Sequence, residues 1–230
     1  MLKLIQLEWK KHTVFKYIRN AVIITAVLLG LLFLIASDPG TGKIVAQTGK
    51  SEIHSLTDMF MNMAYLVFTG AMLSTFVIGE YENKLIQLMF SYPIKRQKII
   101  LSKVLAVCIF SFTALILSKL IAYIMLTTIK SAPETSIYMG ELSFWVGMLT
   151  SAAASICSGC FAMLIGMKMK SSKAALISSF VIMLIVLGVT QGNILPCTSC
   201  GPAAAYIVQT AGAIAAIFIS IWNVEREDVK

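Results

Sequence analysis

The chain has 230 residues, 58% of them apolar and 13% charged, with a mean hydropathy of +0.84. Soluble domains lie nearer half apolar and a quarter charged, so the composition excludes an ordinary water-soluble globule and indicates a single membrane domain. The net charge of +8 needs no nucleic acid to explain it, because lysines and arginines collect on the cytoplasmic side of a bilayer and beside anionic lipid.

A helix needs roughly 20 mainly apolar residues to cross the hydrocarbon, and the sequence predicts six such spans in an all-α, polytopic membrane protein. Residues 1–20 form an interfacial leading segment. They carry Lys3, Lys10, Lys11, Lys16 and Arg19. Trp9 and these lysines suit the inner membrane interface, although the segment has no single clean apolar face. The first span is predicted at 21–36, with Tyr17 and Ile18 extending it. The Ser37-Asp38-Pro39 exit lacks the small-residue cleavage pattern of a signal peptide. Next comes Pro39-Gly40-Thr41-Gly42-Lys43, which only superficially resembles a phosphate loop. Ser37 stands where the first Gly is required and Ile44 where Ser or Thr should follow the Lys.

The second span is predicted at 59–79, followed by a cytoplasmic loop at 80–103. Further spans are predicted at 104–129, 142–167, 174–195 and 203–222, with a tail at 223–230. Fifteen Lys and Arg side chains fall in the leading segment, the 80–103 and 168–173 loops and the tail. Lys43, Lys50 and Lys130 alone fall on the opposite side. That asymmetry predicts cytoplasmic N and C termini. The intervening outer loops, 37–58, 130–141 and 196–202, are too short for a receptor domain.

On this assignment every acidic residue and both histidines, His12 and His54, fall outside the spans. Intramembrane carboxylates and imidazoles drive proton-coupled carriers, and metal ligands at depth serve intramembrane hydrolases. The sequence therefore predicts no catalytic residues, no metal site and no energy coupling of its own. Lys119 is the only charge within a predicted span. It either snorkels to the outer headgroups or lies on a substrate path or subunit seam.

Span 4 carries Ser151, Ser155, Gly159, Ala162 and Gly166, a small-residue stripe that lets helices approach closely within the chain or at a dimer seam. Span 5 closes on Gly188-x-x-x-Gly192. The thirteen methionines suit adaptable packing or a greasy substrate route. Cys157 and Cys160 form one C-x-x-C pair at depth and Cys197 and Cys200 a second in an outer loop. The outer pair could close a disulfide in an oxidising exterior. Their different depths argue against a shared tetrathiolate zinc site, and Cys108 reads as span packing.

The 80–103 loop is the most informative segment. It opens with Glu80 and Glu82. Leu85, Leu88 and Met89 then recur on one helical face. Pro93 stops that helix, and Lys95, Arg96, Lys98 and Lys103 follow. Such a helix suits either docking of a partner protein or an interfacial position on lipid. The pattern resembles the cytoplasmic loop of ABC-2-type permeases, the membrane subunits of ATP-binding cassette transporters. The matching residues are Glu80 or Glu82, Leu85, Leu88, Pro93, Ile94, Arg96 and Lys103. Leu4, Glu8, Lys10 and Lys11 resemble the family's first short helix, and 225–229 its charged tail. Lys84 departs from the small or hydroxyl residue often found there.

The resemblance implies a multi-pass subunit of a bacterial plasma membrane, paired with a second permease copy or paralogue. Cytoplasmic ABC ATPase subunits would hold ATP and Mg and grip Glu80, Glu82, Leu85, Leu88, Met89, Pro93, Lys95 and Arg96. Lys119, Ser155 and Gly159 are the candidates for substrate path or subunit seam. The chain's size resembles permeases of antimicrobial-peptide export and immunity, such as lantibiotic or bacitracin resistance. The implied cargo is a peptide, antibiotic or lipid-like amphiphile. Two other classes remain open at this point. One is a membrane thiol-disulfide oxidoreductase using the C-x-x-C pairs, and the other is a non-transporting scaffold or sensor.

Overall fold

The structure, a computed structural model, describes residues 14–37, 52–79, 96–128, 142–169 and 171–190. These residues form five helices: α1 Val14–Ser37, α2 Glu52–Leu73, α3 Arg96–Thr128, α4 Leu142–Met169 and α5 Ser172–Thr190. α2 runs on directly into a π-helical segment, Ser74–Ile78. Four helices are long and apolar enough to cross a membrane, over Phe15–Ile35, Ser55–Ile78, Ile100–Leu126 and Phe144–Met169; α5 contributes a shorter apolar stretch, Ser172–Gly188. The sixth predicted span, 203–222, lies outside the described residues, as do most of the predicted cytoplasmic loop and the Cys197/Cys200 pair.

Hydrocarbon cannot hydrogen-bond a peptide group, so a spanning segment satisfies its backbone within itself. That requirement overrides the weak helix propensity of the valines and isoleucines in α1 and α5. The burial pattern is the reverse of a soluble protein. Leu34, Ile177, Leu184 and Leu117 point outwards with more than half their surface exposed. Serines and threonines lie inside, at Thr69, Ser118, Ser158 and Ser179 among others. Each returns its hydroxyl to a carbonyl three or four residues earlier in its own helix, at 2.7–2.8 Å, and so buries no unpaired donor.

α2 is the hub, packing against every other described helix. Of its spanning segment 67% is buried inside the bundle, against 17% for α1, which places α1 on the periphery. Tyr17 of α1 packs on Phe76 with ring centroids 4.9 Å apart, and Thr25 shares a 3.0 Å hydrogen bond with the Tyr65 hydroxyl. α4 and α5 form a tight helical hairpin around Ser171, whose N–H donates to Gly166 O and whose carbonyl accepts from Ala175, both at 3.3 Å.

Glycines allow the close approaches within this hairpin and onto α2. A Cβ on Gly159 would sit 3.1 Å from Thr69 Cβ, one on Gly166 would sit 3.2 Å from Ala175 Cα, and one on Gly70 would sit 2.8 Å from Ser179 Cβ. The small-residue stripe of α4 is thus used against α2 and α5 of the same chain, as short side chains allow in lipid.

Two helices extend beyond the predicted spans. The apolar stretch of the second helix long enough to cross a membrane runs Ser55–Ile78 and, starting four residues earlier than the predicted span at 59–79, includes Asp58. The third helix starts at Arg96, so residues 96–103 of the predicted loop are its first two turns. Lysine and arginine are good helix formers, and polarity alone does not end a helix. Lys103 is buried in the bundle, not spread on a headgroup surface.

Candidate functional site

Lys119 and Tyr123 are one turn apart on α3, and a spacing of four residues puts both on one face. That face meets the second turn of α2 and the middle of α4. Lys119 Nζ lies 2.9 Å from Asp58 Oδ1 and donates a 2.9 Å hydrogen bond to Ser151 Oγ. The Tyr123 hydroxyl donates to the same Asp58 oxygen at 2.8 Å. The Ser151 hydroxyl in turn donates a 3.0 Å hydrogen bond to the Met148 carbonyl. The Tyr123 ring meets Phe144 edge-on at 5.0 Å, and Phe144 meets Trp145 at 5.8 Å. An ammonium, a carboxylate, a phenol and a hydroxyl from three helices thus form one connected polar network.

The pair is unevenly shielded. Lys119 is completely buried, whereas 31% of the Asp58 side chain remains accessible. Transfer of an unpaired charge from water into low dielectric costs many kcal/mol, so such a lysine persists only with a counter-charge and well-placed acceptors.

Both expectations about charge in the spans are therefore corrected. Lys119 does not snorkel to the headgroups; it ends on Asp58. Asp58 falls on the candidate span Ser55–Ile78, so an acidic side chain does sit on an apolar helical stretch long enough to cross a membrane. On hydropathy alone the second apolar run starts at Met59, which leaves Asp58 at the interface.

Beside the pair lies a cavity of about 370 Å³ between α2, α4 and α5. Ser55 and Leu56, both exposed, stand at the Glu52 end of α2, and Leu66, only 1% exposed, lies deepest on that helix. Asp58, Asn62, Ser151 and Ser155 supply polar groups to the wall; Met59, Met63, Met183, Val186 and Leu187 supply the apolar lining. Asn62 Oδ1 is buried without a hydrogen-bond partner, a state that costs about 1–3 kcal/mol when no donor arrives.

Of the residues singled out from sequence, Lys119, Ser151 and Ser155 come together at this region. Ser155 lines the cavity and donates to the Ala152 carbonyl at 2.9 Å. Gly159 lies a turn further along α4, against Thr69 and the Leu66 carbonyl. Arg96 is the first residue of α3. Glu80, Glu82, Leu85, Leu88, Met89, Pro93, Lys95, Cys197 and Cys200 lie outside the described residues. Cys160 is buried with its sulfur 3.7 Å from that of Cys108 on α3, so its sulfur neighbour is on another helix and not only Cys157 in its own C-x-x-C. Among the described residues, no group of three or more His, Cys, Asp or Glu side chains is arranged to hold a metal. Asp58, Asn62 and Tyr123 are the site residues that sequence reasoning missed.

The chain is similar to the uncharacterised protein YcbO of Bacillus subtilis (strain 168), with 27% identity over 198 residues, covering 83% of this chain and 86% of that protein. No family model matches the chain. No solved structure matches it.

Proposed function

We propose that this chain is the membrane-spanning permease subunit of an ATP-binding cassette exporter. In this reading it has six spans and cytoplasmic termini, and ATP is hydrolysed by a separate subunit. The structural observation that supports transport is the apolar-coated bundle enclosing a charged pair beside a 370 Å³ cavity. Charge held at depth in a bundle interior costs stability and marks a functional pathway more often than mere packing. The ATPase coupling rests on the sequence pattern from Glu80 to Lys103, with Leu85 and Leu88 entering a groove of the motor subunit. The cargo is a peptide, antibiotic or lipid-like amphiphile that enters the bundle through the lined cavity, and export of such a compound confers resistance or self-immunity.

The test is co-expression with a candidate cytoplasmic ABC ATPase subunit. The wild-type chain is expected to retain the ATPase through purification and to support cargo-stimulated hydrolysis. Leu85→Asp/Leu88→Asp is expected to lose both while the helix content stays unchanged. Full retention of the ATPase and full export by that double variant defeats the proposal.

A second reading, a membrane thiol oxidoreductase, draws on the close approach of Cys108 and Cys160. It requires that Cys160→Ser abolish activity, whereas the permease reading has that variant fully active.

A further inference from the structure

The cavity beside the ion pair has a single ionisable group on its wall. Among its lining residues only Asp58 carries a charge, and 31% of that side chain is accessible. The counter-charge stands behind it: Lys119 does not line the cavity and has no accessible surface. The Lys119 ammonium and the Tyr123 hydroxyl both meet the same carboxylate oxygen, Oδ1, at 2.9 and 2.8 Å. Both belong to fully buried side chains, so the accessible part of the carboxylate is the part turned away from them. The pair is neutral as a whole but oriented, with its negative end towards the cavity.

That orientation decides the sign of a ligand. Coulomb energy falls with distance. A cationic head on the open side of the carboxylate would stand about 3 Å from an oxygen, with the Lys119 ammonium a carboxyl width further back. The nearer attraction exceeds the farther repulsion, and a low dielectric enlarges the difference. An anion meets the opposite balance. An uncharged head gains only a hydrogen bond in exchange for those it made to water. The rest of the wall suits an alkyl chain: Met59 and Met63 of α2 and Met183, Val186 and Leu187 of α5 line it, and unbranched thioethers adjust to irregular apolar shapes. A volume near 370 Å³ is at the lower end of small-molecule sites, which range from about 300 to 1,000 Å³.

We propose that this cavity binds a monovalent organic cation, an alkylammonium whose head pairs with Asp58 and whose chain lies along Met59, Met63 and Met183. This adds the charge of the head group to the cargo described above. It rests on that reading only for the step from binding to export, because binding is measured without an ATPase. The ammonium could belong to a free amphiphile or to a membrane lipid such as phosphatidylethanolamine, and the experiment separates the two sources.

The full chain, labelled with 13C at the methionine methyl groups, is held in maltoside micelles, whose heads carry no charge. It is titrated, at matched mole fractions in the micelle, with decylammonium, decanol or decyl sulfate. A saturable shift of the Met59, Met63 and Met183 methyl signals is expected with decylammonium, about tenfold tighter than with either of the others. Met72 and Met163, buried elsewhere in the bundle, stay unmoved and report an intact fold. Lys119→Met removes the repelling ammonium and keeps the carboxylate, so it is expected to tighten decylammonium binding by a further factor of about ten. Asp58→Asn/Lys119→Met leaves no charge and is expected to lose the preference for decylammonium over decanol. If either variant disturbs Met72 or Met163, Val186→Phe, which fills the cavity from α5, is expected to abolish the response instead. The same methyl shifts on adding phosphatidylethanolamine in place of decylammonium would assign the ammonium to a lipid, and their absence would assign it to a free amphiphile. Equal binding of decylammonium and decanol by the parent chain, weaker decylammonium binding by a folded Lys119→Met chain, an undiminished preference in the folded double variant, or a full response from a folded Val186→Phe chain would each overturn the proposal.

Discussion

The uneven shielding of the Asp58–Lys119 pair makes a directional prediction. Asp58→Asn leaves an ammonium with no accessible surface and removes the charge that compensates it. Loss of one partner from a buried pair costs about 3–5 kcal/mol, and this variant is expected at that end. Lys119→Met leaves a carboxylate that retains 31% of its side-chain surface and its bond from Tyr123. Water can reach it, so the cost is expected to be smaller, about 1–3 kcal/mol, the range of an imperfectly satisfied polar group.

The double variant Asp58→Asn/Lys119→Met strands no charge. Replacing both members of a buried pair is often neutral or stabilising, so it is expected within about 1 kcal/mol of the parent. The double-mutant cycle then returns a coupling energy of about 6 kcal/mol in magnitude, above the roughly 0.5–3 kcal/mol usual for residues in one network, because both single variants strand a charge. Unfolding by SDS from mixed micelles measures these differences. Trp145, which meets Phe144 at 5.8 Å next to the Tyr123 ring, supplies a local fluorescence signal. The reasoning is refuted if Lys119→Met is as damaging as Asp58→Asn, or if the double variant shows the sum of the two single costs.

Close packing and sulfur placement supply two further predictions. Gly70→Ala drives a methyl into Ser179, whose Cβ would lie 2.8 Å away, and is expected to cost about 1–3 kcal/mol in the same titration; adding Ser179→Gly is expected to recover part of the loss, and an unchanged Gly70→Ala chain contradicts the close α2–α5 approach. Cys108 and Cys160, with sulfurs 3.7 Å apart, are expected to cross-link α3 to α4 when membranes are treated with an apolar oxidant such as iodine, as read by peptide mass spectrometry. A Cys157–Cys160 bridge as the main product would count against this placement.

The helices themselves were legible, because long apolar runs in a low-charge chain have few other fates. The apolar helical stretch Phe15–Ile35 includes Tyr17 and Ile18, the residues that extend the first apolar run towards the N-terminus. The stripe containing Gly159 and Gly166 correctly signalled close helix packing, since only small residues tolerate Thr69 and Ala175 at such distances. Boundaries near charge were misplaced for a common reason. A hydropathy run ends at the first charged residue, but a helix does not, and neither does a span whose charge is compensated. Arg96–Lys103 therefore joins α3, and Asp58 joins the apolar helical stretch Ser55–Ile78. The contact between Cys108 and Cys160 had no local signature, because 52 residues separate the two sulfurs in the chain.

Asp58 was nonetheless detectable by a different reading of the same residues. Met61, Tyr65, Phe68 and Met72 are all buried, and they follow one another at steps of four, three and four residues. Stepping back three from Met61 gives Asp58, the next position of that inward stripe. A carboxylate at the head of a buried stripe needs a cation, and a lysine in the middle of another span needs an anion. Lys119 is seven residues from the Leu126 end of its span, about 10 Å along the helix, which is a long reach for a four-carbon stem seeking the headgroups. Five acidic residues, Asp38, Glu52, Asp58, Glu134 and Glu141, were assigned to the same side of the membrane from sequence. Of these, Asp58 continues the buried stripe of α2. Periodicity extended through the charged residue, combined with the requirement that charge in a span be paired, selects the partner that hydropathy alone had placed at the interface.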